Sequence, residues 1–90
     1  MLYSKNKDLM IFEQDNNGIA QMLDGTLHIL NSTAYEIYLL CEGKSEQEII
    51  DIIKSNYENV DYEIIYADVK EILKSMVDKG IINLDDEVNK

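Results

Sequence analysis

The stretch GTLHILNSTAYEIYLLCEG, residues 25–43, constrains this chain most. Its first half, TLHIL at 26–30, has strand character and carries no acid or lysine. Its second half has helical periodicity, and only Asn31 stands between the two. Asn is a favoured N-cap, because its side-chain oxygen accepts one of the N–H groups that the first helical turn leaves unpaired. Thr33 and Glu36 form an alternative capping box one step on. A short strand therefore feeds a helix with almost no loop, and what that strand pairs with becomes the question.

Two more strands are predicted upstream. LMIFEQ at 9–14 precedes Asp15-Asn16-Asn17-Gly18, a turn signal because Asn and Gly tolerate positive φ. IAQML at 19–23 follows, and Asp24-Gly25 is a second hairpin dipeptide leading into 26–30. Two tight turns in series predict a three-stranded antiparallel meander. Three helices follow. The first buries Ala34, Ile37, Tyr38 and Cys41, with Leu40 adjoining, and ends at Gly43. The second opens on the capping box Ser45-Glu46-Gln47-Glu48, buries Ile49, Ile52 and Ile53, and fades near Asn56. Asp61 caps the third, which runs to Lys79 and stops at Gly80. The charged ends, SKNKD and LDDEVNK, read as frayed, and GIIN as a short extended segment. The expectation is one α+β domain over 1–90, with its core at about 9–82.

Charge excludes some functions. Eight lysines, no arginine and 18 acids leave a net −10. Nucleic-acid binding draws on cationic side chains that displace phosphate counterions, so DNA and RNA are disfavoured, as are anionic membranes. No run of about 18 apolar residues is present to span a bilayer, and the first ten residues lack a signal peptide's apolar core. One cysteine forms no internal disulfide, which suits a reducing cytoplasm. It stands on an apolar helical stripe and reads as a buried structural thiol. One Cys and one His do not make a zinc site, and no metal or other cofactor is expected. Asp85-Asp86-Glu87 reads as a solvated tail. Tyr35, Tyr38 and Tyr57 are expected to wedge between helices. No catalytic constellation is found, and the chain does not read as an enzyme.

The third helix has an unusually wide apolar face. At about 100° per residue, Ile65, Val69, Ile72 and Met76 form one stripe. Tyr62, Tyr66, Leu73 and Val77 widen it on one side only, with Lys70 and Lys74 just beyond. Asp68, Glu71, Ser75 and Asp78 occupy the far side. The whole arc is about 140°, where about 100° suffices for one packed layer. Two readings stay open: a wide core face, or a core stripe beside a second stripe that lines a groove.

The order of motifs resembles a family. Leu30-Asn31-Ser32-Thr33-Ala34, Glu42-Gly43, Tyr57, Val60-Asp61, Asp68-Val69 and Gly80-Ile81-Ile82 are, in order and spacing, similar to the PqqD-like family, the RiPP recognition elements. The resemblance implies a winged-helix-like domain that binds the leader segment of a ribosomally made precursor peptide. In that mode the leader adds to the third strand, lies beside the third helix, and is presented to a radical SAM protein or a leader peptidase. Carried onto this chain, one wall of the cleft is Leu27, His28, Ile29 and Leu30. The other is Tyr66, Val69, Lys70, Leu73, Lys74 and Val77, with the two lysines awaiting a leader carboxylate. Other readings are a winged-helix nucleic-acid regulator and a scaffold that contacts only a partner enzyme. As to assembly, the expectation is a monomer or a weak homodimer paired through the vacant edge.

Overall fold

The computed structural model describes residues 1–85. In chain order it holds β1 (Leu2–Lys5), β2 (Met10–Gln14), β3 (Asn17–Gln21), β4 (Leu27–Leu30), α1 (Ser32–Leu40), α2 (Glu46–Asn56), α3 (Tyr62–Asp78) and β5 (Ile82–Asp85). The α+β class and the three helices stand as expected. The strand layout does not, because there are two sheets. β2, β3 and β4 form an antiparallel sheet in that order, and β1 pairs antiparallel with β5 in a second. Ser4 and Lys5, the start of the SKNKD segment read as frayed, belong to β1, which is held because Tyr3 is buried in the core. The Tyr3 N–H donates to Lys44 O at 2.9 Å, and the Gly43 N–H donates to Tyr3 O at 2.8 Å. The loop between α1 and α2 thus occupies the outer edge of β1. Leu84 and Asp85 belong to β5, whereas Asp86, Glu87 and the rest of that predicted tail lie outside the described residues.

Local chemistry sets both hairpins. Asp15 and Asn16 have positive φ (54° and 70°), which makes a two-residue turn of the type that matches strand twist. β3 therefore starts at Asn17, two residues earlier than expected, and Gly18 is a strand residue rather than a turn residue. A side chain at Gly18 would place its Cβ 2.6 Å from Cδ1 of Tyr35, so the absence of a side chain lets α1 close on the sheet. Gly→Ala in an ordinary strand gains from reduced chain entropy. Here Gly18→Ala is expected instead to cost about 1–3 kcal/mol through overpacking, read as a lower urea midpoint at unchanged slope.

In the second hairpin the Gly25 N–H donates to Met22 O and the Met22 N–H donates to Thr26 O, at 2.9 and 2.8 Å. Gly25 takes the left-handed conformation that this turn-and-bulge requires, with φ 91°.

The helix starts follow their caps. Asn31 Oδ1 accepts the Ala34 N–H at 2.8 Å, so Asn31 is the cap of α1. Glu36 is free for other work, and accepts from Asn56 and the Tyr57 hydroxyl at 3.0 and 3.1 Å. The Ser45–Glu48 capping box is complete in both directions. Hydrogen bonds from Ser45 hold the Glu48 carboxyl below its ordinary range. Such a depressed carboxylate supports the fold above its unfolded pKa, and that support is lost as pH falls through the folded one. Asp61 begins α3 without a side-chain cap bond.

The core lies between the sheets and the helices. Ile37, Cys41, Ile49, Ile50, Ile53, Val69, Leu73, Met76, Ile81 and Ile82 are its most enclosed side chains. Burial raises the Cys41 thiol, whose Sγ points to Tyr38 O at 3.4 Å. Tyr35 and Tyr38 stack with centroids 6.5 Å apart and are buried, while Tyr57 stays partly exposed at the surface. In α2 the buried face is Ile49, Ile50 and Ile53, with Ile52 at its margin.

Candidate functional site

β4 pairs with β3 alone among the described residues, so its second edge is unpartnered there. The register is Gly18↔Leu30, Ile19↔Ile29, Ala20↔His28 and Gln21↔Leu27. Bonded and non-bonded pairs alternate along an antiparallel ladder. Counting from the bonded Met22–Thr26 pair, His28 and Leu30 direct their N–H and C=O groups at β3. Leu27 and Ile29 direct theirs at the open edge. Two residues of backbone are thus available to a visiting strand.

The side chains of β4 alternate as well. Leu30 is buried and His28 half-buried, both toward the helices. Leu27 and Ile29 are 58% and 67% exposed on the outer face. There Phe12, Ile19 and Ile29 align across the three strands, beside Met10, Gln21 and Leu27. No charged residue stands in these two rows.

Lys79, just past the end of α3, lines a recess with Thr26 and His28, while Glu71 and Ile72 line one with Leu30, Asn31 and Ala34, so α3 passes β4 in the antiparallel sense. A cleft of about 300 Å³ separates them, lined on the β4 side by Ile29, Leu30 and Asn31 and on α3 by Glu71, Ile72, Ser75, Met76 and Lys79. A shallower recess continues past Thr26 and His28, again with Lys79 on its wall. Among the described residues no carboxylate pairs with Lys79 and no cation pairs with Glu71.

The sequence-predicted helix wall does not sit here. Leu73 and Val69 are 0% and 1% exposed and belong to the core. Lys70, Lys74 and Val77 line a different recess of about 580 Å³, facing Tyr3 and Leu84 of the β1–β5 sheet. Both lysines are engaged within the chain. Lys70 Nζ lies 3.7 Å from Glu46, 3.3 Å from the Tyr66 hydroxyl to which it donates, and 4.9 Å from the Tyr66 ring centroid. The Tyr66 hydrogen bond, followed by Glu46, raises the Lys70 pKa. Lys74 pairs with Asp78 at 3.1 Å. The structure therefore brings Leu27–Leu30 together with Ile72, Ser75, Met76 and Lys79, and puts Tyr66, Lys70, Lys74 and Val77 on another face.

The reason is a rotation of α3. Its buried stripe is Ile65, Val69, Leu73 and Met76, so Leu73 takes the core place expected for Ile72. Ile72 moves to the flank beside β4. The β1–β5 sheet borders the flank that the sequence reading left open, across the recess that Lys70, Lys74 and Val77 line.

Among the described residues, no group of three or more His, Cys, Asp or Glu is placed to hold a metal, and no helix is long and apolar enough to cross a membrane.

Fold and site together define a small α+β domain with an open strand edge beside a helix-lined cleft. Residues 8–82 match the family described as coenzyme PQQ synthesis protein D (PqqD), and the chain belongs to that family. Among solved structures, TbiB1 in complex with the TbiA(beta) leader peptide superposes with a TM-score of 0.78 at 22% sequence identity. The match covers 93% of this chain and 99% of that one, and shows a shared fold. No curated protein matches.

Proposed function

We propose that this domain binds the leader segment of a ribosomally synthesised precursor peptide as an added strand on β4, and presents it to a peptide-modifying enzyme. The observation that carries the reading is the unpartnered β4 edge beside the Ile72–Met76 flank of α3. Backbone bonds to Leu27 and Ile29 supply affinity with little sequence choice, and the cleft supplies the choice. Alternate peptide side chains face Ile72, Ser75 and Met76. The others join the outer row of Phe12, Ile19 and Ile29. Lys79 replaces Lys70 and Lys74 as the cation offered to a leader carboxylate. PqqD membership and the leader-bound state of TbiB1 support this reading. The domain itself is read as winged-helix-like and non-catalytic, serving a radical SAM protein or a leader peptidase. Without peptide it is a monomer, or a weak dimer paired edge to edge.

Titration of a fluorescent leader with the domain alone tests this. Saturable one-to-one binding is expected, weakened about tenfold or more by Ile72→Asp, which puts a charge against buried apolar side chains. Absence of a signal without the enzyme favours the scaffold reading. Binding to duplex DNA that falls steeply with salt favours the nucleic-acid reading, which the net −10 opposes.

A further inference from the structure

The cleft beside β4 is apolar in its middle and oppositely charged at its two ends. Glu71 lies toward the end where Leu30, Asn31 and Ala34 approach α3. Lys79 lies toward the other end, shared with the recess of Thr26 and His28. Ile72, Ser75 and Met76 stand between them. Lys70 and Lys74, on the flank that faces the β1–β5 sheet, are already matched by Glu46 and Asp78. Glu71 and Lys79 have no such partner among the described residues. Asp8 and Asp24 line the same recess as Lys79, and Glu71 also borders the recess of Lys70 and Lys74, but among the described residues no ion pair holds either Glu71 or Lys79.

The spacing suits one kind of occupant. Eight residues of helix separate Glu71 from Lys79 by about 12 Å along the axis. An extended strand advances about 3.3 Å per residue, with every second side chain on one face. Four strand residues therefore span the same length, and three side chains, at the first, third and fifth positions, look into the cleft. Antiparallel addition continues the antiparallel ladder of β2, β3 and β4, and is the more stable pairing per residue. Because α3 is antiparallel to β4, such a strand runs parallel to α3 and passes Glu71 first and Lys79 last.

Resting on the proposed strand addition, we propose that the cleft selects an extended segment whose cleft-facing side chains read basic, apolar, acidic from its N-terminus, each two residues after the last. Glu71 receives the basic group, Ile72 and Met76 bury the apolar one, and Lys79 receives the carboxylate. The charges fix direction and register, which backbone bonds alone leave free.

The test uses two synthetic nonapeptides of identical composition, rich in Val and Thr. One carries Lys, Leu and Glu at the third, fifth and seventh positions, and the other has Lys and Glu exchanged. Binding is measured by fluorescence anisotropy at low and at physiological salt. Wild type is expected to prefer the Lys-first peptide by about tenfold at low salt, since two partly exposed pairs turn from attraction to repulsion. The double variant Glu71→Lys/Lys79→Glu is expected to reverse that order. Both side chains are exposed, so this variant keeps its fold. Equal binding of both peptides by wild type overturns the charge selection and leaves strand addition standing. Preference for the Glu-first peptide overturns the assigned direction. If neither peptide binds wild type while the genuine leader does, the basic–apolar–acidic rule is overturned. If the leader fails too, the strand-addition reading falls with it.

Discussion

Leu73→Lys is expected to unfold the domain, not merely to spoil its cleft. Leu73 is 0% exposed and belongs to the cluster that includes Ile49, Val69, Met76 and Ile81. Removing a buried leucine side chain costs about 2–5 kcal/mol. Leaving an unpaired ammonium in its place adds several more, relieved only by deprotonation or by prising α3 from the core. Native domains have about 5–15 kcal/mol in hand, and a chain of this size sits at the low end. The loss therefore matches or exceeds the reserve. Circular dichroism with thermal melting is expected to show no cooperative transition for Leu73→Lys, while Lys74→Leu, one residue along, melts like wild type. A cooperative melt for Leu73→Lys with lost peptide binding would put Leu73 in the cleft and reverse the rotation of α3 described above.

Ile29→Pro is expected to do the opposite: to spare the fold and abolish the strand-accepting edge. Ladder alternation directs the Ile29 N–H outward, so proline there removes no bond to β3. Proline is tolerated on edge strands where the lost N–H faces solvent. For an incoming peptide the change is severe. One backbone donor is gone, a peptide carbonyl is left unmatched, and the pyrrolidine ring occupies the approach. An unmatched buried acceptor costs about 1–3 kcal/mol, or about fivefold to 150-fold in affinity. Ile29→Thr keeps the N–H and the β-branched shape, loses only apolar contact, and is expected to bind the leader clearly more tightly than the Pro variant. Equal binding by the Pro and Thr variants would mean that the peptide does not pair with β4. Loss of a cooperative melt in the Pro variant would mean that Ile29 bonds inward, against the register.

Local chemistry was legible in the chain; long-range pairing was not. Asn31, the Ser45–Glu48 box and Asp24-Gly25 act within a few residues, and each does in the structure what its side chain or φ preference dictates. The vacancy beside β4 follows from the same features, because two tight hairpins place 27–30 last in its sheet. Asn17-Gly18 misled by two residues. Both residues suit a turn, yet Asp15-Asn16 also tolerate positive φ, and the contact of Gly18 with Tyr35 decided between them. β1 left no signal and β5 only the extended segment GIIN, and their pairing left none, since four-residue strands some 80 positions apart in the chain carry no shared local pattern. That omission displaced the candidate site. Helical periodicity identified a wide apolar arc on α3 but not which flank faces which sheet. The apolar excess of Tyr66, Leu73 and Val77, bordered by Lys70 and Lys74, points to one flank, and that flank faces the β1–β5 sheet. Ile72 and Lys79 lie on the flank that remains beside β4. A whole-domain count of lysines gave no hint that, among the described residues, Lys79 is the one that borders that cleft.

Amide hydrogen exchange, read residue by residue by NMR with and without the leader peptide, tests the open edge most directly. In the free domain the Leu27 and Ile29 amides should exchange fast and those of His28 and Leu30 slowly. Peptide should slow Leu27 and Ile29 while changing the other two little. Slow exchange at Leu27 and Ile29 before any peptide is added would contradict the account, as would peptide-induced protection that appears in Ile82–Asp85 and bypasses β4.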